Sequence, residues 1–591
     1  MTSRLSTGTG HGHRVAARRL RVCLGLAIVV FLVFGVRLFW IQGLDAQAYA
    51  SMSKQAGQST TTIPAPRGEI LDRNGKALAS SVDAMTLTAD PSMTSTDAPR
   101  IARILLKHLG KDRIDYFDVI DKLRTPKSRF VYLVKQVPAW TATKAVKAVR
   151  KAGLTGVFTQ QETMRTYPGG KLAANLVGYV DGSGKGVQGI ERQYDSLLRG
   201  TDGSATYEVS PTGQRIPMAD STVKEMVPGT DVETTIDRDL QWYADQRLAD
   251  AVRSSSSDWG LAVTMDVRTG QIVQMSQAPT FDAEEKSTLR DYNTVSRFAQ
   301  TVYEPGSVLK TVTMAALADQ GKITPETRLV VPGRVMIDKF PIGDYWQHGT
   351  IHLTAAGVIA KSSNLGTIVA AQQLSDGTMH SYLRKFGFGS LSGVQLPGES
   401  RGILTPAKQW TKANHATISF GQGISVTALQ VVRAVGAIAN GGQICDPTVV
   451  SDLTAPDGSS ASPAQDGSQQ IISQEAAKMV TRMMEAVTAD DGTAPAAQIP
   501  GYRVAGKTGT AWRVNPVTGR YVRGQNTVSF IGFAPADKPR FVTYVVLDKP
   551  FANAGGGSTA APVFHDVMSM ALERFGVAPT GSRSPKVPQQ W

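Results

Sequence analysis

Ser307 and Lys310 form a Ser-x-x-Lys pair at the predicted start of a helix. A Pro-Gly pair precedes them, and an apolar, helix-compatible run follows from Val308 to Ala318. Residues three apart share a helix face, so the lysine amine comes within reach of the serine hydroxyl. Backbone N–H groups at a helix N-terminus also favour negative charge. The pair therefore predicts an activated serine nucleophile.

The Ser-x-x-Lys pattern alone is a weak signal, because the chain contains it three times. The other two matches, Ser51 with Lys54 and Ser221 with Lys224, lack a Pro-Gly entry followed by a long apolar helix. Such matches also occur among solvated surface residues that have no catalytic role. Ser307 therefore needs support from the rest of the chain.

Two further motifs follow in order and give that support. Ser362-Ser363-Asn364 begins 55 residues after Ser307, between two apolar helical runs, which predicts a helix–helix connection. Lys507-Thr508-Gly509-Thr510 begins 200 residues after Ser307 and follows an extended segment. Without the other motifs, Lys310 would be interpreted as a solvated lysine and Asn364 as a helix cap. The ordered trio is typical of penicillin-binding proteins and class A β-lactamases.

The elements around these motifs predict an α/β (α+β) domain with a central antiparallel sheet covered by helices. Asp237 is expected to cap a helix that runs to about residue 252, and a closing helix is expected over 561–575. Helical segments dominate from 307 to 440. The strands come early and late in this part of the chain, and we expect them at 232–236, 261–266, 271–276, 503–507, 527–534 and 541–548.

An apolar run of 20 residues, 22–41, is long enough to span a bilayer as one helix. It exceeds the usual core of a cleaved signal peptide, so we expect an uncleaved anchor. An arginine-rich arm, 1–21, precedes it and predicts a cytoplasmic N-terminus with the remainder outside. Residues 42–230 are predicted to form a stalk and a non-catalytic pedestal, 231–578 the catalytic domain, and 579–591 a disordered tail.

Composition excludes several classes of function. The net charge of +14 is spread along the chain without a zinc-finger or RRM signature, which disfavours nucleic acid as a partner. Cys23 and Cys445 are the two cysteines, so neither an intramolecular disulfide nor a cysteine metal site is expected. His348 and His352 lack the glutamate of a zinc-protease motif and are interpreted as ordinary polar residues. We expect no cofactor and no metal.

With the three motifs in place, the chain resembles a class B penicillin-binding protein, a peptidoglycan D,D-transpeptidase, with most likeness to the division-specific branch. The likeness extends from the anchor to about residue 575. It is also carried by 67–75, by Arg165-Thr166-Tyr167-Pro168 and 186–194 in the pedestal, by 235–241 at the entry to the catalytic domain, and by the later blocks 419–423 and 555–564.

The resemblance implies acyl transfer in two steps through an ester on Ser307. Lys310, made partly neutral by burial and by Lys507, would take the serine proton. Ser362 would relay a proton to the leaving amine, and Asn364 would hold both Lys310 and the substrate amide. Thr508, Gly509 and Thr510 would bind substrate along a strand, with the N–H groups of Ser307 and Thr510 as the oxyanion hole. Lys507 would also face the substrate carboxylate.

The partners implied are peptidoglycan stem peptides, β-lactam inhibitors, the membrane, divisome membrane proteins and a SEDS-type glycosyltransferase. The alternatives are an elongation-type transpeptidase, a D,D-carboxypeptidase, a serine β-lactamase, or a catalytically silent scaffold or sensor. The anchor and pedestal argue against a β-lactamase, and the intact motifs argue against a silent scaffold. The acceptor diamino acid, the oligomeric state and the β-lactam selectivity are not evident from the sequence.

Overall fold

The computed structural model describes residues 12–44, 58–209, 216, 221–463, 467–515, 518, 520–551 and 554–591. The chain divides into two compact units, which are described separately. One unit comprises residues 1–64 and 202–226, and the other comprises residues 65–201 and 227–591. The predicted stalk falls largely on 45–57, outside the described residues.

The strands carry the labels β1 to β21 in chain order. The first eleven are β1 (Gln58–Ile63), β2 (Ile70–Leu71), β3 (Ala77–Ala89), β4 (Val131–Pro138), β5 (Val157–Thr166), β6 (Gly203–Glu208), β7 (Ser221–Lys224), β8 (Asp231–Thr234), β9 (Trp259–Asp266), β10 (Ile272–Ala278) and β11 (Arg328–Val331). The others are β12 (Val335–Ile337), β13 (Phe340–Ile342), β14 (Ile351–Thr354), β15 (Gln443–Ile444), β16 (Val450–Thr454), β17 (Ser460–Ala461), β18 (Gln469–Gln470), β19 (Ala505–Val514), β20 (Tyr521–Ala534) and β21 (Phe541–Asp548).

The helices are named by their ranges. In the first half of the chain they are Gly12–Phe39, Pro91–Thr94, Ala98–Leu109, Tyr116–Leu123, Ala139–Lys151, Ala174–Val177, Gly189–Gln193, Asp195–Leu198, Arg238–Ser254 and Asp291–Thr294. In the second half they are Lys310–Asp319, Ala355–Ala360, Asn364–Ala371, Asp376–Lys385, Lys412–Ser419, Ala428–Ala439, Gln474–Thr488 and Ala561–Arg574. Single 3-10 turns lie at Lys286–Thr288, Gly306–Leu309, Ala407–Gln409 and Pro495–Ala497, and π turns at Trp40–Leu44 and Gly556–Ala560.

The smaller unit holds the N-terminal helix Gly12–Phe39 and a three-stranded sheet in the order β1-β6-β7. A helical stretch of 26 residues, Ala17–Gln42, is long enough for a membrane span and contains an 18-residue segment with a mean hydropathy of 2.7. The helix begins about ten residues before the predicted span, so Arg18, Arg19 and Arg21 of the basic arm lie on it. An exposed apolar helix of this length fits a membrane anchor.

The larger unit contains a five-stranded antiparallel sheet in the order β10-β9-β21-β20-β19. Every residue of β9 and β21 is buried, which requires helices on both faces. Arg238–Ser254 and Ala561–Arg574 pack on this sheet, and so does Ala428–Ala439. The predicted strands 261–266, 271–276 and 541–548 are confirmed, as is the Asp237 cap, whose carboxylate accepts from the N–H groups of Asp239 and Leu240.

A second sheet combines strands from both sides of the predicted boundary at 230. Its order is β17-β16-β8-β2-β3-β4, with β5 also paired to β3. The helices Ala98–Leu109, Tyr116–Leu123 and Ala139–Lys151 enclose a separate small core against β3 and β4. The division into a pedestal and a catalytic domain at 230 therefore stays a prediction.

The predicted disordered tail, 579–591, is wrong for its last residues. Gln589 O accepts from the N–H of Thr354 at 3.1 Å, and Gln590 forms an antiparallel bridge with Leu353 of β14. The Trp591 ring stacks on His352 with centroids 4.6 Å apart. The polar, proline-containing composition of the tail suggested disorder. Composition does not reveal that β14 has an unpaired edge, and the tail pairs with that edge.

Candidate active site

The three motifs meet in one cleft of about 930 Å³. Ser307, Ser362, Asn364, Thr508 and Thr510 all line it. Lys310 and Lys507 are fully buried. The structure thus brings together side chains that the sequence separates by up to 200 residues.

Ser307 lies on the 3-10 turn Gly306–Leu309, which leads directly into the helix Lys310–Asp319. The preceding glycine has a φ of +57°, a backbone conformation that favours residues without a Cβ. Its N–H donates to Gly421 O at 3.0 Å, and a Cβ on Gly421 would lie 1.9 Å from Gly306 O. Two glycines in close contact therefore hold Ser307 at the mouth of the cleft.

Ser362 connects the two lysines. Lys310 Nζ donates to the main-chain oxygen of Ser362 at 2.5 Å and approaches its Oγ at 3.5 Å. Lys507 Nζ donates to the same Oγ at 2.8 Å. Ser362 has a φ of +58°, a left-handed conformation that costs a non-glycine residue roughly 1–3 kcal/mol and is concentrated at functional sites.

Removal from water is the main influence on both amines. Burial lowers the pKa of Lys310 to about 7, and the negative charge of Asp344 opposes that shift. Burial, followed by the neighbouring Lys310 charge, lowers the pKa of Lys507 well below its usual range. Lys310 was expected to owe its shift to burial and Lys507 together. Burial is the cause that lowers its pKa, and the coupling between the two amines lowers the pKa of Lys507 instead. An amine with a pKa near 7 is partly neutral at neutral pH and can accept a proton.

Ser307 and Lys310 are not joined directly. Among the residues that the structure describes, no hydrogen bond links Ser307 Oγ to the Lys310 amine, which bonds to Ser362 instead. Ser362 Oγ therefore lies at the centre of the polar contacts in the cleft. A proton path from Ser307 to Lys310 needs a small approach of the two groups, as is common when catalytic contacts tighten around a substrate.

Asn364 differs from expectation. It was expected to hold Lys310, but its Nδ2 donates to Gly343 O at 3.2 Å, and the described contacts include none to Lys310. Its own N–H, like that of Leu365, donates to the Asp344 carboxylate. The sequence offered no signal for this pairing, because Asp344 lies 20 residues before Asn364 on a loop without a recognisable motif.

The strand β19 forms the wall opposite Ser362. The prediction of a strand ending at Lys507 is wrong, because β19 continues to Val514 and carries the whole Lys-Thr-Gly-Thr motif. It pairs with β20 on one side and is the edge of its sheet. Its free backbone groups can therefore pair with an extended peptide in the cleft.

The packing around Gly509 gives a second reason for a glycine there, and its expected role beside a bound peptide stays a prediction. A Cβ there would lie 2.2 Å from Ser529 Oγ and 2.9 Å from Val308 Cγ2. The missing side chain therefore allows the turn that carries Ser307 to pack against β19. Thr508 Oγ1 accepts from Lys507 Nζ at 3.3 Å and also pairs with Thr493 at 3.3 Å.

Glu304 lies on the loop just before the turn that carries Ser307. Its carboxylate accepts from Gly423 N at 2.8 Å and from the Tyr521 hydroxyl at 3.0 Å. Burial raises its pKa, and the bond to Gly423 opposes the rise. This carboxylate connects the segment before Ser307 to β20 and to the loop that contains Gly423.

The site has the parts of an active-serine acyltransferase, namely a serine, a buried amine of lowered pKa and an open strand edge. Family comparisons agree. The penicillin binding protein transpeptidase domain matches residues 260–569, and the penicillin-binding protein dimerisation domain matches residues 62–234. The chain belongs to the class B penicillin-binding proteins.

Individual relatives show the same likeness over most of the chain. The penicillin-binding protein PbpB of Mycobacterium tuberculosis is 35% identical over 95% of this chain and 85% of its own length. The peptidoglycan D,D-transpeptidase FtsI of Escherichia coli is 28% identical over 96% and 94%. The crystal structure of penicillin-binding protein 3 from M. tuberculosis with aztreonam superimposes with a TM-score of 0.70 at 30% identity, covering 90% of this chain and 100% of that one.

Proposed function

We propose that this protein is a membrane-anchored peptidoglycan D,D-transpeptidase that cross-links stem peptides through an ester on Ser307. The observation that carries the proposal is Ser362 Oγ between two buried lysines, in the cleft that Ser307 and the edge of β19 share. β-Lactams, which acylate active-site serines in this family, are its inhibitors.

In the first step, Ser307 Oγ attacks the carbonyl between the two terminal D-alanines of a stem peptide. Lys310, neutral because burial lowers its pKa to about 7, receives the hydroxyl proton. The N–H groups of Ser307 and Thr510 stabilise the oxyanion, a contribution worth about 2.7–4 kcal/mol per donor. The C–N bond breaks, Ser362 passes a proton to the leaving amine, and D-alanine departs.

In the second step, an amine from a neighbouring stem peptide attacks the ester. Its proton returns through Ser362 and Lys310 to Ser307 Oγ, and the new amide bond is the cross-link. The edge of β19 holds the donor peptide as an added strand, with Thr508 and Thr510 on the cleft side. A positioned acceptor amine has to compete with water for the same ester.

In this proposal Lys507 offers positive charge to the terminal carboxylate of the donor peptide from behind Thr508, which lines the cleft and whose Oγ1 lies 3.3 Å from the Lys507 amine. Without an anion beside it, burial and Lys310 hold its pKa well below the usual range. An opposite charge within a few ångströms favours the protonated form, so a bound carboxylate recharges the amine. Recognition of the carboxylate and protonation of Lys507 are therefore coupled.

A product assay separates the three acyl-transfer activities. Purified full-length protein receives a donor pentapeptide and an amine acceptor, and the products are resolved by mass spectrometry. We expect a cross-linked amide with release of D-alanine, and none from Ser307→Ala. A hydrolysed tetrapeptide without cross-link would identify a carboxypeptidase. Rapid turnover of a β-lactam would identify a β-lactamase.

The apolar helix and the arginines at its start support an N-terminus in the cytoplasm and a catalytic unit outside it. The stem peptides lie on that outer side. Alkaline phosphatase fused to residue 591 is expected to be active, because it folds only outside the cytoplasm. An inactive phosphatase fusion together with a fluorescent cytoplasmic C-terminus would contradict this orientation.

We place the protein in septal cell-wall synthesis, with divisome membrane proteins and a SEDS-type glycosyltransferase as partners of the membrane helix and the pedestal. Likeness to FtsI over nearly the whole chain supports the division role. A fluorescent fusion is expected at midcell, and side-wall signal without any midcell signal would favour elongation. Co-purification of the glycosyltransferase should be lost when 12–39 is replaced by an unrelated apolar helix.

A further inference from the structure

Asp344 lies beside the Ser-x-Asn motif on the loop between β13 and β14. One carboxylate oxygen accepts from the N–H groups of Asn364 and Leu365, and its distance to the Leu365 nitrogen is 3.1 Å. The other oxygen accepts from Ser363 Oγ at 2.6 Å and contacts His348 Nε2 at 3.0 Å. The side chain is fully buried, and all its contacts lead to the motif or to its own loop.

These bonds place a carboxylate at the N-terminus of the helix Asn364–Ala371. Negative charge is favoured there, because the first N–H groups of a helix lack partners within it. The neighbouring Gly343 O accepts from Asn364 Nδ2 at 3.2 Å. The loop therefore holds both the backbone and the side-chain amide of Asn364, and a shift of the loop would move the amide in the cleft.

The charge of Asp344 also acts on Lys310. Burial disfavours the protonated amine, and Asp344 is the carboxylate that opposes this effect. The other groups that face this pair are Lys507, whose pKa the Lys310 charge lowers, and Tyr345, whose pKa is raised by burial and by Asp344. The carboxylate thus influences both the position of one motif and the charge of another.

His348 completes the arrangement. Its Nε2 faces Asp344 and its Nδ1 faces Gly349 O at 2.6 Å. Both partners present acceptor oxygens, so the ring donates to at least one of them. The ring is nearly buried, and Trp346 packs beside it with centroids 5.2 Å apart. A pairing of this kind excludes water from the carboxylate and holds it against the helix.

We propose that Asp344 is a positioning residue of the acyl-transfer site: its carboxylate fixes Asn364 at the wall of the cleft and places a negative charge beside the segment whose Ser362 holds Lys310. The inference rests on the proposed function, because it concerns the same reaction. It assigns a role to a residue outside the three motifs, and it predicts effects on rate and on pH dependence that a simple helix cap would not produce.

The variant Asp344→Asn tests both parts of the role. It keeps the shape and an acceptor oxygen for the helix N-terminus but removes the charge. The matched control is Asp237→Asn, because Asp237 is also a nearly buried carboxylate that caps a helix, Arg238–Ser254, and it lies outside the cleft. The acylation rate of each full-length protein by a fluorescent penicillin is measured from pH 5.5 to pH 9, together with the melting temperature.

We expect Asp344→Asn to lower the plateau rate about tenfold and to move the rising limb of the pH profile to lower pH by roughly 0.5–1 unit. Asp237→Asn should lower the melting temperature and leave the pH profile in place. An Asp344→Asn profile with unshifted pH dependence and an unchanged plateau would overturn the inference while leaving the proposed function intact. A wild type that forms no acyl-enzyme at any pH would overturn both.

If Asp344→Asn fails to fold, His348→Gln tests the same contact by changing the partner of Asp344. Glutamine keeps one N–H donor toward the carboxylate but removes the ring that packs beside Trp346. The carboxylate then keeps its charge but is held less firmly against the helix N-terminus. We expect a lower plateau rate with the rising limb in place, unlike the shift in Asp344→Asn, and an unchanged plateau would overturn the inference.

Discussion

At the scale of single residues, the chemistry depends on keeping two amines out of water. Lys310 and Lys507 are fully buried, and both face Ser362. A buried ammonium is costly, so Lys310 gives up its proton near neutral pH and becomes a base. The same burial that disfavours the charged form makes proton transfer from Ser307 feasible.

The acylation rate of the wild type should therefore rise with pH. The pKa of Lys310, about 7, separates a protonated, inactive form below from a neutral, active form above. We expect a rising limb with its midpoint near pH 7 in a stopped-flow assay with a chromogenic β-lactam. Lys310→Ala should remove the limb and lower the rate by about 10²–10⁴-fold. A wild-type rate that is independent of pH between 5.5 and 9 would contradict this assignment.

Replacement of the buried amine should stabilise the fold, and more so at low pH. The unfolded chain binds a proton at Lys310 up to its ordinary pKa of 10.5, whereas the folded chain releases it near 7. Stability therefore increases as pH rises through this window, by about 1.36 kcal/mol per unit. Lys310→Met should raise the melting temperature at pH 6 more than at pH 9. An equal rise in melting temperature at both pH values would show that the pKa of Lys310 is not lowered in the folded protein.

Residue types and spacing were enough to predict which side chains meet at the cleft, but not their contacts, and the catalytic roles stay predictions. Ser307, Lys310, Ser362 and Lys507 follow from short motifs in a recognisable order. The Asn364 amide was assigned to Lys310, while it bonds to Gly343. Its partner loop could not be predicted, because an aspartate and a glycine on an irregular segment have no distinguishing pattern until the chain folds.

At the scale of elements, the turn that carries Ser307 is fixed by its packing on β19. Gly306 has Thr510 O within 2.8 Å of its would-be Cβ, and Gly509 has Val308 within 2.9 Å. The turn that carries Ser307 therefore packs directly on β19, with the main-chain oxygen of Thr510 beside Gly306 and the Val308 side chain beside Gly509. The end of β19 was predicted too early, because Thr-Gly-Thr resembles a turn and the pairing with β20 that extends the strand is long-range.

Gly509→Ala should push the Ser307 turn away from the strand. The new Cβ would lie 2.9 Å from Val308 Cγ2 and 3.2 Å from Pro305 O, both on the segment that carries Ser307, so this segment or β19 has to move. We expect a loss of acylation of about 10²-fold, since a misplacement near 1 Å carries such a penalty. Gly377→Ala is the matched control, because nothing lies within 4 Å of its Cβ position. Full activity in Gly509→Ala would exclude a positional role for this contact.

At the scale of the whole molecule, the last residues of the chain act as part of the larger unit. Pro588 and Gln589 accept hydrogen bonds from Thr354, and Arg328 lies over the Trp591 ring. The strand that they extend leads into Ala355–Ala360 and then to Ser362. The general architecture, helices around an antiparallel sheet, could be predicted from periodicity, whereas this contact between distant segments could not.

A double-mutant cycle tests the contact of the tail. A Cβ on Gly357 would lie 1.8 Å from Gln589 O, so Gly357→Ala should lower the free energy of unfolding by about 1–3 kcal/mol. Deletion of 586–591 should also destabilise the protein. Combined, the two changes should cost no more than the deletion alone, because the clash disappears with the tail. Additive losses would mean that the tail does not lie against Gly357.

The proposed reaction depends most directly on a covalent bond to Ser307. Full-length protein in detergent, incubated with benzylpenicillin at pH 8, can be weighed intact and mapped by peptide mass spectrometry. We predict one adduct per chain, located on Ser307, and no adduct on Ser307→Ala. An unmodified wild type, or an adduct that persists in Ser307→Ala, would contradict the assignment of Ser307 as the nucleophile.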